Sequence, residues 1–260
     1  MRLQRPVWVL CLSAALMLFL YAPVMILILF SFNDSRFAGL WVGGTLEWYR
    51  KLAGDVALRQ ALSNSLVIAG VSTLGATLLG LGAAVGLERG RFQGQALVES
   101  ALILLLVVPE VMLGVALLLW FVLLNVPLGL LTVTIAHTAF NLPLVTMMIR
   151  ARLQRLDGGL EDAARDLGAT PWAAFRRITL PLLSPAILGA ALMAFTVSLD
   201  DFIVTFFTAG PGATTLPLKV YSMIKAGVSP EINALSAILV VASMALVALS
   251  LWLQRDELTH

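Results

Sequence analysis

The sequence predicts an all-α polytopic membrane protein with six transmembrane helices, and three observations predict it. Hydrophobic residues fill 60% of 260 positions and charged residues only 12%, with a mean hydropathy of +0.94, beyond the range of an average soluble domain. Six stretches are apolar over the roughly 20 residues a helix needs to cross a hydrocarbon core. The Lys and Arg residues between them are unequally shared between the two sides, as membrane topology demands. The net charge of +2 and pI near 9.0 belong to that bias. So few charges over so many loops make no basic stripe for nucleic acid.

The first window, 7–32, follows Arg2 and Arg5 as a secretory signal would. It is too long for a signal core and lacks an Ala-x-Ala exit, so it reads as an uncleaved anchor. Cys11 is the single cysteine, which excludes an intrachain disulfide and suggests a buried, inert thiol. The loop 33–60 has room for a surface helix. Leu46, Tyr49, Leu52 and Leu58, with Trp48 nearby, give it an apolar face, either an interfacial anchor or a partner contact.

The second window, 61–87, carries small residues at every fourth position, Ser72, Ala76, Gly80 and Ala84, and a Gly82/Gly86 pair. Such rows let helices approach closely, within the subunit or across a subunit interface. The third window, 96–124, is interrupted at Pro109-Glu110, which suits the first turn of a restarted helix whose dipole favours a carboxylate. Glu110 therefore either caps a broken helix or meets solute. His137 stands alone in the fourth window, 129–149, as a hydrogen-bonded packing residue rather than a proton relay or ligand. No second His or Cys lies at metal-ligand spacing.

The fifth window, 182–209, contains Asp200 and Asp201, and the sixth is 232–253. A carboxylate at the bilayer centre costs on the order of 2.5–3.5 kcal/mol on insertion scales. A water-filled path, a cationic solute or a basic partner must offset it. No Lys or Arg lies in any of the six windows, so an anionic wall suits a cation better than an anion.

Six crossings put both termini on one side. That side holds Arg2, Arg5, Arg89, Arg91, Arg150, Arg152, Arg155, Arg165, Arg176, Arg177 and Arg255, against Arg36, Arg50, Lys51, Arg59, Lys219 and Lys225 on the other. Eleven against six places the termini, and the polar loop of about 150–183, in the cytoplasm. No soluble domain or repeat is visible, and residues 1–260 read as one membrane domain.

Within the loop, Leu160, Ala163, Ala164 and Leu167 fall on one helical face, with Glu161, Asp162, Arg165 and Asp166 on the other. Gly168 supplies a C-terminal stop. Thr170-Pro171 opens a second short helix bearing Trp172, Phe175 and Ile178, after which Leu180-Pro181 and Ser184-Pro185 turn the chain back to the membrane. Two short helices held between spans can transmit a push from a soluble partner. A merely solvated loop would need no apolar faces.

The block Glu161–Gly168, nine residues, then Ile178-Thr179-Leu180-Pro181 resembles the "EAA" loop of permease subunits of ATP-binding-cassette (ABC) importers. That resemblance implies the type I importer permease fold, with the loop fitting a groove on the ATPase. It gives this coupling role to Asp162, in the motif's glutamate slot, and to Ala163, Ala164 and Gly168, beside Glu161, Trp172 and Phe175. Asp162 is one methylene shorter than the motif's glutamate.

Further on, Ser198–Phe202, Gly210-Pro211-Gly212, Thr215-Leu216-Pro217 and Ser229–Leu235 resemble the spermidine/putrescine importer permeases, the second subunit of the pair. This implies a bacterial inner-membrane complex with another permease chain, a cytoplasmic ATPase dimer holding ATP-Mg, and a periplasmic polyamine-binding protein. Asp200, Asp201 and Glu110 would then line the cation's passage. The sequence has no Gly-x-x-x-x-Gly-Lys-Ser/Thr loop, so this chain is expected to carry no ATPase site, no cofactor and no enzyme activity. The alternatives are a permease for another small solute and an ion-coupled secondary transporter, which would have no need of the 150–181 loop. A membrane enzyme lacks any paired nucleophile and base.

Overall fold

A computed structural model describes residues 7–35, 40–90, 92–227 and 229–254. Of the residues in the charge count, Arg2, Arg5, Arg36, Arg91 and Arg255 lie outside this set. The elements are helical, apart from one bridge between Asn33 and Gly44. The chain divides into two compact units, Met1–Leu58 with Val220–His260, and Arg59–Lys219.

In the first unit, α1 (Val7–Phe30) has none of its apolar window buried. Cys11 is consequently exposed rather than buried, because this helix turns nearly all its surface to whatever surrounds it. The short helix α2 (Glu47–Gly54) has Glu47 in its first turn and Lys51 in its last, complementing its dipole. It buries Trp48 and Leu52, while Leu46 stays outside. The Trp48 indole donates to the Asn33 carbonyl (2.8 Å), and the Tyr49 and Ser31 hydroxyls bond at 2.6 Å. Lys51 pairs with Glu231 at the start of the last helix, Pro230–Gln254. The expected surface helix is thus packed on its own unit.

The second unit is built on the long helix α3 (Val56–Arg89). Ser72, Ala76 and Ala84 are fully buried, and a Cβ on Gly80 would lie 2.7 Å from Val145 Cγ1. The row of small residues therefore packs inside the subunit, against α6 (Leu130–Leu153). Gly82 and Gly86 have open space around them. Ala76, Ala84, Val145, Ile149, Leu183 and Ala190 share one core with the helix that ends at Asp200.

Two of the expected windows are broken. The third is α4 (Gln95–Val107) and α5 (Glu110–Leu123), bent by 114°. Val108 is extended (ψ 128) and Pro109 has no N–H to continue the helix. Four helices are long and apolar enough to cross alone, five if the bent pair counts as one. The last helix contributes only the shorter apolar run Pro230–Val241 among the described residues. Four or five of the six expected crossings are thus matched by length and composition, and the last helix, Pro230–Gln254, overlies the sixth window.

The loop after α6 holds α7 (Gly159–Asp166) and then α8 (Pro171–Ala174), followed by a π turn, Phe175–Thr179, and α9 (Leu180–Asp200). These last three run without a break as Pro171–Asp200. Pro181 and Pro185 therefore do not turn the chain. The π turn reconciles Pro181 with the helix: the Leu180 N–H reaches back to the Phe175 carbonyl, which re-phases the ladder and puts Pro181 in a new first turn, where a missing donor costs little, while Pro185 lies inside α9.

At its far end α9 stops at Asp200, Asp201 is extended (ψ 125), and α10 (Ile203–Thr208) follows. Next come the turn at Gly210–Gly212 and α11 (Leu216–Lys225), which makes the last helix α12. Gly210 sits where a Cβ would lie 1.9 Å from the Leu128 carbonyl oxygen, and Gly212 has φ +79°. The Asn64 amide donates to the carbonyls of Gly212 and Thr214 (2.9 Å each), and the Ser65 hydroxyl accepts from the Leu216 N–H (2.8 Å). The opening of the second window and the Gly-Pro-Gly segment thus form one joint.

Candidate functional site

Helix 171–200, about 45 Å long at 1.5 Å per residue, has a candidate surface at each end. At its beginning, the Thr170 hydroxyl accepts from the Ala173 N–H (3.3 Å), with Pro171 in the first turn. Before it, Gly168 adopts φ +89°. Its N–H bonds the Arg165 carbonyl (2.8 Å) and that of Ala169 bonds Ala164 (3.0 Å), the double closure of a Schellman cap. Both caps are as the sequence predicts.

The faces of α7 are another matter. This helix buries no residue at all. Leu167 is 90% exposed and Trp172 68%, with Trp172 stacked on the half-buried Phe175 at 5.7 Å. The apolar stripe is left uncovered by its own chain. Asp162, Ala163 and Gly168 are exposed beside it and Ala164 is half-buried.

Glu161 points the other way. Its carboxylate meets the Arg89 guanidinium at the end of α3 (2.8 Å) and accepts from the Thr179 hydroxyl in the π turn; Arg89 also donates to Thr179 (3.3 Å). Three elements, α3, α7 and the long helix, are tied at this point. Nearby, Arg150 bridges Glu88 (3.0 Å) and Glu99 (2.7 Å), fastening α6 to α3 and α4. Of the two adjacent carboxylates, Asp162 alone is available to a partner.

At the other end lies a cleft of about 640 Å³ that gathers Glu110, Asp200 and Asp201. All three carboxylates singled out in the sequence meet there, but in different states. The Asp201 side chain is 6% exposed and 3.2 Å from His137 Nε2. It accepts from the Val204 N–H (3.2 Å), the Thr205 N–H (2.8 Å) and the Thr205 hydroxyl (2.7 Å). It caps α10 and binds it to α6, so its desolvation is offset internally.

His137 is 1% exposed, with Nδ1 2.6 Å from the Ser198 hydroxyl and Nε2 2.9 Å from that of Thr205. Ser198 in turn lies 3.1 Å from the Ser72 hydroxyl on α3. A proton on Nε2, with Ser198 donating to Nδ1, satisfies every member. The histidine is a hydrogen-bonded packing residue. It is also a partner of Asp201 from within the membrane windows, where no Lys or Arg lies.

Asp200 and Glu110 are both exposed, one closing α9 and the other opening α5. Neither carboxylate enters a hydrogen bond or ion pair among the described residues. The cleft therefore offers two unpaired negative charges on apolar walls.

A family model described as "Binding-protein-dependent transport system inner membrane component" matches residues 76–255. The chain belongs to that family. It is a multi-pass inner-membrane transport permease. The spermidine/putrescine transport system permease protein PotC of Escherichia coli (strain K12) is 42% identical over 243 residues, covering 94% of this chain and 92% of the relative. The putrescine transport system permease protein PotI of the same organism is 44% identical over 241 residues, covering 90% and 85%. PotC of Haemophilus influenzae is 39% identical over 239 residues, covering 92% and 93%.

Among solved structures, a bacterial ABC transporter that imports the acidic polysaccharide alginate superposes with a TM-score of 0.71 at 16% identity, covering 96% of this permease and 95% of that chain. The MetNI methionine ABC transporter gives 0.62 at 21%, covering 74% and 92%. The fold is that of type I ABC importer permeases.

The sequence singled out the carboxylates but missed what holds them. Arg89 read as topology, Thr179 and Ser198 only as members of the quoted motifs, and Thr205 as an ordinary span residue, so none carried a signal of its contacts.

Proposed function

We propose that this permease is the translocation subunit of an ATP-driven importer of polyamines such as putrescine and spermidine. The observation that carries the reading is helix 171–200. It starts at an uncovered apolar and aromatic surface and ends at a cleft with two free carboxylates. The relatives named for spermidine and putrescine transport supply the solute class, and a flexible chain with two or more ammonium groups suits separated carboxylates on apolar walls.

ATP hydrolysis is assigned to a separate cytoplasmic ATPase pair holding ATP-Mg, docked on Asp162, Ala163, Ala164, Gly168, Trp172 and Phe175. Glu161 holds that surface in place from behind. A second permease chain completes the path, and a periplasmic polyamine-binding protein delivers the solute. Both termini and the 150–183 loop are cytoplasmic by the charge bias, and residues 1–260 act as one permease domain. Asp200 and Glu110 face the ammonium groups, while Asp201 shapes the cleft edge.

Uptake of labelled putrescine by the complete transporter in liposomes tests this. Uptake should need internal ATP and survive collapse of the proton gradient. Asp200→Asn with Glu110→Gln should lower it at least about tenfold, the scale of a lost charge-assisted contact. Dependence on the proton gradient would instead indicate an ion-coupled transporter, and unchanged uptake in the double variant would remove the cation path.

A further inference from the structure

We infer that Asn141 is a solute-contacting residue of the cleft, a neutral amide that helps select amine cargo beside the two carboxylates. This rests on the reading of the cleft as a cation path. Asn141 lies on α6, one turn beyond His137, and lines the same cleft as Asp200 and Glu110. Its side chain is fully buried, yet neither Oδ1 nor Nδ2 has a hydrogen-bond partner. Buried amides are nearly always paired, because an unmet donor or acceptor forfeits its hydration with no return. Here both halves of one amide are unmet, on a residue that lines the cleft.

The neighbouring polar groups show how unusual this is. His137, Ser198, Thr205 and Asp201 bond one another, and none of them bonds Asn141. The other unpartnered buried oxygens among the described residues, on Thr73, Thr77 and Thr215, do not line this cleft. Asn141 is thus set apart both by its deficit and by its position.

The chemistry that meets the deficit is specific. A carboxamide oxygen accepts from an ammonium N–H, and its nitrogen donates to a water or carboxylate that accompanies the cation. A neutral acceptor beside a carboxylate lets an ammonium shed water without being trapped by a second full charge, as a transport path requires. Inorganic cations of similar charge would gain less from a wall that is otherwise apolar, so the arrangement favours an amine whose methylene chain lies along Phe140 and Leu144.

Asn141→Leu in the complete transporter tests the assignment. Leucine has about the same volume and carries no polar atom. Were the amide idle, removing it would leave uptake intact and leave stability equal or higher. The inference predicts the same undiminished melting midpoint for the assembled complex but putrescine uptake about tenfold lower and more ATP hydrolysed per amine imported. Preference across a series of diamines of increasing length should also shift, which a packing role would not cause.

If Asn141→Leu fails to assemble, Asn141→Ala gives the same readout in complexes that do. Unchanged uptake and unchanged diamine preference in either variant overturn the inference. When Asp200→Asn still lowers uptake in that case, only the Asn141 role falls. When it does not, the cation path falls too.

Discussion

The two ends of helix 171–200 solve opposite problems with the same residue types. At the loop end, apolar and aromatic groups stand in the open and the acidic Glu161 is turned inward. At the cleft end, Asp201 is sealed within a network while Asp200, its neighbour, stays free. In both places one of two adjacent carboxylates, Glu161 of Glu161-Asp162 and Asp201 of Asp200-Asp201, holds the architecture. The other is left for a partner. Adjacent residues on a helix point about 100° apart, which separates Glu161 from Asp162, and the extended backbone at Asp201 turns it away from Asp200, so a single acidic pair can serve the frame and the function at once.

The comparison predicts its own asymmetry. Asp201→Ala should be the most damaging change to folding, on the order of 3 kcal/mol or more because the buried donors of Val204, Thr205 and His137 lose their acceptor, seen as a lower melting midpoint and little assembled complex. Asp200→Asn should leave that midpoint unchanged. Equal destabilisation by both would erase the distinction between them.

At the loop end the order reverses, with function more sensitive than stability. Trp172→Ala should weaken ATPase binding by about 2 kcal/mol or more, the scale of a buried aromatic anchor, with no loss of thermal stability of the isolated permease. Titrating purified ATPase against the variant measures it. Gly168→Val should cost roughly 1–2 kcal/mol by placing a branched side chain at φ +89°, and it should lower coupling by displacing α7.

Glu161→Gln should have the smallest effect, up to about 1 kcal/mol for a partly exposed ion pair. The amide can still accept from Thr179. Thermal unfolding and ATP hydrolysed per solute imported would both shift slightly. A larger effect on ATPase binding than that of Asp162→Asn would mean that the outward and inward roles have been exchanged.

The legible parts of the sequence were those set by local chemistry. The Gly168 and Thr170-Pro171 caps and the restart at Pro109-Glu110 each depend on neighbours within a few residues, and each is present. Features that depend on distant partners were not legible. His137 and Asp201 come together from different windows, and Arg89 reaches Glu161 from the end of α3. Pro181 carries the usual signal for a stop, which the π turn overrides by shifting the hydrogen-bond register, and Pro185 lies inside α9 without ending it. The apolar stripe of α7 was read correctly as a stripe. Periodicity cannot say whether such a face is covered by its own chain or by another.

The central claim is that helix 171–200 carries motion from the loop surface to the cleft as one rigid element. Leu188→Pro tests it most directly, since Leu188 is 64% exposed and remote from both ends, and a proline there breaks the ladder without touching either surface. The quantity to measure is polyamine imported per ATP hydrolysed by the assembled transporter in liposomes. The account predicts a complex that assembles and hydrolyses ATP while that ratio falls severalfold or more. A ratio equal to the parent's, with normal uptake, would contradict it.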